Sequence, residues 1–178
     1  MKWLFFSYSL PTEPSKARVF VWRQLKKLGA VHFQTVWVAP YSPERVQEVN
    51  KLVEYIQNHR GKGIMITGKI LSPGQEERLL EAFTASRNEE YQELIAKCEA
   101  YLQEIEQEIQ RENFIFAEVE ENEEELDKLK HWFNKIEKRD ILKAPLRKTA
   151  LEKLKRCEKV FHEFARLVYE RAQSSREY

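Results

Sequence analysis

Apolar positions alternate with polar ones near the start of the chain and recur every three or four residues later; the change comes near Ser72-Pro73. The opening "WLFFSYSLP" predicts a strand over residues 2–10, ended by Leu10-Pro11, where proline removes a ladder donor. An export signal would need a longer apolar run. Here Ser7 and Ser9 interrupt it, Pro11, Glu13 and Pro14 follow, and no small-residue cleavage site is present. "TEPSKARVFVWRQLKKLGA" then predicts a helix, with Thr12 or Ser15 as its cap, Pro14 in its first turn and Gly29 at its end. Ala17, Val21, Leu25 and Leu28 share one face with Trp22 flanking, and Arg18, Arg23, Lys26 and Lys27 spread over the other side. "VHFQTVWVAPYS" is long enough for two short strands or one strand with a bulge. Ser42-Pro43 opens a second helix, striped by Val46, Val49, Leu52, Val53 and Ile56 and ending before Gly61; "KGIMITGKIL" is the next strand. The order within residues 1–72 predicts a small ferredoxin-like sheet domain with both helices on one face.

Residues 73–178 read as a helical bundle region, so the chain as a whole is α+β. Phe83, Tyr91, Leu94, Ile95, Cys98, Leu102, Ile105 and Ile109 mark the seam of one long helix. After the interruption "RENFIFAEVEENEE", a second seam runs through Leu126, Leu129, Phe133 and Ile136. Pro145 opens a third helix, with Leu151, Leu154, Cys157, Phe161, Phe164 and Val168 on its seam. At 1.5 Å per residue, residues 89–112 would span about 36 Å and 147–172 about 39 Å. Such lengths with short connections predict a long-helix hairpin or a three-helix bundle.

At 178 residues and 42% hydrophobic, the chain can bury one good core or two small ones. No apolar run approaches the roughly 20 residues of a spanning helix, so no membrane association is expected. Cys98 and Cys157 stand 59 positions apart without CxxC or His-Cys spacing; they read as small buried seam residues of a cytoplasmic protein, not as zinc ligands. A net charge of +1 conceals a segregated pattern. Residues 1–71 carry eleven Lys/Arg against four Glu, residues 84–142 eight against seventeen acids, and residues 143–178 ten against five. Separation of this kind implies attraction between parts of the chain or a basic face kept for a polyanion.

Enzymatic motifs are not apparent, and no cofactor or metal is expected. There is no GxSxG elbow, and five glycines in 178 residues leave no phosphate-cradling loop. His32, His59, His131 and His162 stand in four separate segments. The acidic run Glu120–Glu125 with Asp127 could gather a divalent cation, but a solvated start to the helix carrying Leu126 is the commoner meaning of such a run. The first helix is the stronger candidate: Lys16, Arg18, Arg23, Lys26 and Lys27 could contact phosphates, Arg bidentately. Their alternative role is an ordinary exposed face paired with the acidic middle segment.

"YSLPTEPSKARVFVWRQLKKLGAVHFQTVWVAP" resembles the opening of the chromate-resistance regulator family ChrB, with its L-P-x-E-P-S, R-V-x-x-W-R, L-G-A and V-W/Y-V-x-P blocks. "LLEAFTASRNEEYQEL" and "EEELDKLKHWFNKIEKRDILKAP" resemble later blocks of the same family, in order. The resemblance implies a Cas2-like ferredoxin fold followed by helices, in proteins tied to transcriptional control of chromate efflux. Proteins of that family often continue into a C-terminal chromate-associated domain; this chain stops where it would begin, which puts the metal- or oxyanion-sensing role in doubt here and makes a separate chromate-associated protein a candidate partner. Cas2-like nucleases end their first strand in a metal-binding aspartate. Here the corresponding residues are Ser7-Tyr8-Ser9, so nuclease chemistry by that route is not expected.

Three readings follow. The first is a non-enzymatic regulator, or regulatory subunit, on double-stranded DNA. The second is a protein–protein interaction module without DNA binding, and the third a divergent Cas2-like nuclease. A homodimer is expected through the sheet, with "VHFQTVWVAP" as an exposed edge and Trp37 and Val38 as its anchors.

Overall fold

Alternation along Trp3–Ser9 does produce a strand, β1, and in the computed structural model, which describes residues 1–174, it lies inside a four-stranded sheet. The chain continues through α1 (Lys16–Lys27), β2 (Val31–Phe33), β3 (Val36–Pro40), α2 (Pro43–Asn58), β4 (Lys62–Gly68), α3 (Pro73–Gln110), α4 (Phe116–Arg139) and α5 (Leu146–Ser174). All strand pairs are antiparallel, in the order β2-β3-β1-β4. The protein is α+β. It divides into two units between Ser86 and Arg87, a point within α3.

In the first unit, one sheet face packs Leu4, Phe6, Trp37 and Ala39 against Val21 and Leu25 of α1 and Val49, Leu52 and Ile56 of α2. The stripes read from the sequence are the stripes that are buried. The opposite face holds Trp3, which stacks on Phe83 at 5.5 Å and donates from Nε1 to Glu76 at 2.7 Å. The Met1 ammonium also reaches Glu76, at 2.9 Å, and these donors hold its carboxyl below the ordinary range. "VHFQTVWVAP" is two strands: Phe33 pairs with Val36, and the chain reverses through Gln34 and Thr35, with Gln34 at φ 55°. Helix ends follow expectation at the start of α2 and the end of α1: the Ser42 hydroxyl accepts from the Arg45 N–H, and Gly29 stands at φ 76° just beyond the last turn of α1. At the start of α1, Ser15 makes no side-chain cap bond and Pro14 lies before the helix.

Gly61, where α2 returns to the sheet, has to be glycine for steric reasons. A Cβ there would come within 2.4 Å of the Ser9 carbonyl oxygen and 2.6 Å of Ile56 Cγ2. The approach keeps β1 and the chain after α2 in contact, and fixes where β1 ends.

The second unit is a bundle of the last part of α3 with α4 and α5 around one core. Tyr91, Leu94 and Cys98 of α3 meet Leu129, Phe133 and Ile136 of α4 and Cys157, Phe161 and Phe164 of α5. Both cysteines are free and buried, and the Cys157 thiol donates to the Cys98 carbonyl oxygen at 3.5 Å. Two of the three helices differ from their sequence-read bounds. α3 already begins at Pro73, and α4 begins at Phe116, inside the stretch that reads as an interruption.

Tyr91 donates to Asp140 at 3.1 Å and Tyr101 to the Asn122 carbonyl at 3.0 Å, both inside this core. Burial pushes both phenols well above their ordinary value, and the Asp140 carboxylate pushes Tyr91 further. A raised folded-state value means the stabilisation is complete below the unfolded phenol value near 10 and is lost as pH rises through the folded one. Resistance to urea should therefore fall as pH rises above about 10, and Tyr101→Phe should flatten that fall. An unchanged profile in the variant would contradict this assignment.

Candidate nucleic-acid interface

The geometry of α1 follows from its stripe. With Ala17, Val21 and Leu25 turned into the core, a step of about 100° per residue places Lys16, Arg23, Lys26 and Lys27 within an arc of about 100° on the far side. All four are exposed. Arg18 is exposed too, but lies about 140° round the helix from Arg23. The structure thus groups four of the five candidate phosphate contacts and turns the fifth aside, toward the end of β1.

None of the five makes an ion pair or a side-chain hydrogen bond among the described residues. Acids of the helical unit find cations inside that unit instead. Glu90 pairs with Arg87 and Arg139, Glu99 with Lys153, Glu137 with Arg147 and Glu158 with Lys130. Other basic groups of the first unit are occupied: Lys2 lies over the Tyr41 ring at 3.7 Å, and Arg45 donates to the Leu28 and Pro40 carbonyls. Charge segregation therefore leaves an uncompensated basic face on α1. An exposed guanidinium or ammonium of this kind costs little to present and is available to a polyanion.

Aromatic groups border that face. Trp22 is 47% exposed, and Phe20 packs on Tyr55 of α2 at 4.3 Å, which in turn stacks on His59 at 4.1 Å. Between α1 and α2 this row borders a cleft of about 510 Å³ lined in part by Lys27 and Lys51. The sequence reading missed Tyr55 and His59. Their i,i+4 spacing across the end of α2, where His59 is the C-cap, was the available signal.

Trp37 and Val38 are placed differently from the expected edge. β3 is an interior strand between β2 and β1, and the two side chains are 8% and 1% exposed within this one chain. They alternate because both faces of β3 are covered, one residue going to each. The free edges are β2 and β4, and β4 carries the exposed Ile64 and Ile66.

The acidic run lies on α4, where Glu118, Glu121, Glu124 and Glu125 line an open groove with Lys128. Among the described residues no group of three or more His, Cys, Asp or Glu side chains is arranged to hold a metal ion. Among the same residues, no helix is long and apolar enough to cross a membrane.

Fold and surface together define an α+β protein with a basic helical face joined to a long-helix bundle. The chain belongs to the family described as protein ChrB, N-terminal, which matches residues 18–175, nearly its whole length. The family is that of a regulatory protein associated with chromate resistance. No curated protein and no solved structure matches the chain.

Proposed function

We propose that the protein is a non-enzymatic transcriptional regulator, or regulatory subunit, that binds double-stranded DNA in the control of chromate resistance. The observation that carries this reading is the face formed by Lys16, Arg23, Lys26 and Lys27, exposed together and without acidic partners among the described residues. Residues 1–72, read as a ferredoxin-like, Cas2-like domain, would present that face, and the bundle region 73–178 would couple it to a partner. A separate chromate-associated protein is a natural candidate for that partner. The chain would act as a homodimer through a free sheet edge, for which the exposed Ile64 and Ile66 of β4 are better placed than Trp37 and Val38.

The test is a gel-shift titration against the DNA upstream of its own operon, with and without chromate, accompanied by a sedimentation mass. Retarded duplex and twice the chain mass are expected. A protein that retards no duplex at low salt would sink the DNA reading. The exposed Trp22 and Phe20 favour a second reading, docking of another protein on the same helix, and that reading would then lead.

A further inference from the structure

We propose that the basic face of α1 and the cleft beside it take the acidic start of α4 from a second copy of this chain, so that the protein associates head to tail. On α1, Lys16, Phe20, Arg23 and Lys27 stand at i, i+4, i+7 and i+11, within an arc of about 60°. On α4, Phe116, Glu120, Glu123 and Asp127 repeat that spacing within an equal arc of about 60°. Each stripe is about 16 Å long at 1.5 Å per residue. One carries three cations and an aromatic ring, the other three carboxylates and an aromatic ring.

Both stripes are exposed in the single chain, so the occupant is a second copy. Glu120, Glu123 and Asp127 make no ion pair or side-chain hydrogen bond among the described residues, just as Lys16, Arg23 and Lys27 make none. Phe116 is 69% exposed, a large apolar group at the head of an acidic surface, and Ile115 before it is exposed too. Such groups suit a contact better than a solvated face. The cleft between α1 and α2 offers the matching surface. It measures about 510 Å³, and its lining includes Leu28, Leu52 and the packed Phe20–Tyr55 pair, with Lys27 and Lys51 as cations. Glu48 is the single acid in that lining. Exposed ion pairs are individually weak, so the apolar seat for Phe116 gives the contact its specificity and the charges make it sensitive to salt.

The inference goes beyond the DNA reading and does not need it, since the second copy is bound without nucleic acid. It gives the α1 face two competing occupants, because a duplex and the acidic stripe of another chain use the same cations. The contact is heterologous, α1 of one copy against α4 of the next, and pairing along the β4 edge uses none of these residues.

Sedimentation of the full chain across a range of salt, without DNA, is the test. A weight-average mass higher at low salt than at high salt is expected. Arg23→Glu/Lys27→Glu and Glu120→Lys/Glu123→Lys should each abolish the rise, because each brings like charges together. Mixing the two variants should restore it, since the altered face of one then meets the altered stripe of the other. Phe116→Ser changes no charge and should weaken association about tenfold or more, which gives a second reading should a charge variant fail to fold by circular dichroism. A mass that does not change with salt, or a rise that survives in both charge variants, would overturn the proposal. So would a mixture of folded variants that fails to recover the rise. Faster sedimentation at constant mass would assign the contact to two parts of one chain, and that too would overturn it. Duplex binding by a chain that never self-associates leaves the DNA reading standing while this one fails.

Discussion

Replacing Glu90 by Ala should lower the unfolding free energy by about 3 kcal/mol, more than any surface ion pair in the protein could account for. Arg87 is only 2% exposed, and its guanidinium lies 2.8 Å from the Glu90 carboxylate. Arg139 of α4 binds the same carboxylate, its Nε at 3.0 Å. Burial pulls the Arg87 guanidinium below its ordinary value, and Glu90 opposes that pull while Arg139 adds to it. Removing Glu90 thus takes a counter-charge from a buried cation and leaves a second cation facing it. A lost carboxylate beside a buried guanidinium costs several kcal/mol, whereas exposed pairs such as Lys148–Glu152 are worth about 0–1 kcal/mol. Urea unfolding of the Glu90→Ala and Glu152→Ala variants makes the comparison directly. Equal midpoints for the two would show that the Glu90 network contributes no more than an exposed pair.

The first unit was largely legible because its elements are short and each of its two helices buries one face. Period two in "WLFFSYS" and period three to four in α1 and α2 point to side chains that are buried in the structure. The hairpin was ambiguous because its reversal uses Gln34 and Thr35, with no glycine to mark it. Trp37 and Val38 misled because alternation does not reveal whether the second face of a strand is open or covered. In α3 the stripe changes partners: Leu79 and Phe83 are buried in the sheet unit, Tyr91 and Leu94 in the bundle. The seam read from Phe83 to Ile109 as one stripe therefore spans two cores, and the segment 89–112 covers only part of a helix that starts at Pro73. α4 begins with Phe116, an exposed residue, so its first turns carry no seam to read.

The basic face was legible for a simple reason: its charges are close in sequence and sit on one helix. A recess at the end of β1 was not: Ser7, Tyr8, His32 and Thr35 are ordinary polar residues with no mutual spacing, and only the sheet and the hairpin bring them to Arg18. Helical spacing alone could have shown that Arg18 departs from the other four.

DNA affinity should depend on Arg23 and Lys27 far more than stability does. Neither side chain pairs with another group among the described residues, so their loss removes only what they give to a ligand. Four phosphate contacts predict a slope of log affinity against log salt near −3.6, since each contributes about −0.9, and removing two should bring it near −1.8. The fold should be unaffected, because exposed unpaired charges contribute little to stability. Fluorescence anisotropy of a duplex at several salt concentrations, for the wild type and for Arg23→Gln/Lys27→Gln, decides whether the α1 face binds DNA. A steep wild-type slope is expected, roughly halved in a variant with an unchanged unfolding midpoint. A slope identical in the two proteins, or no binding by the wild type at low salt, would contradict it.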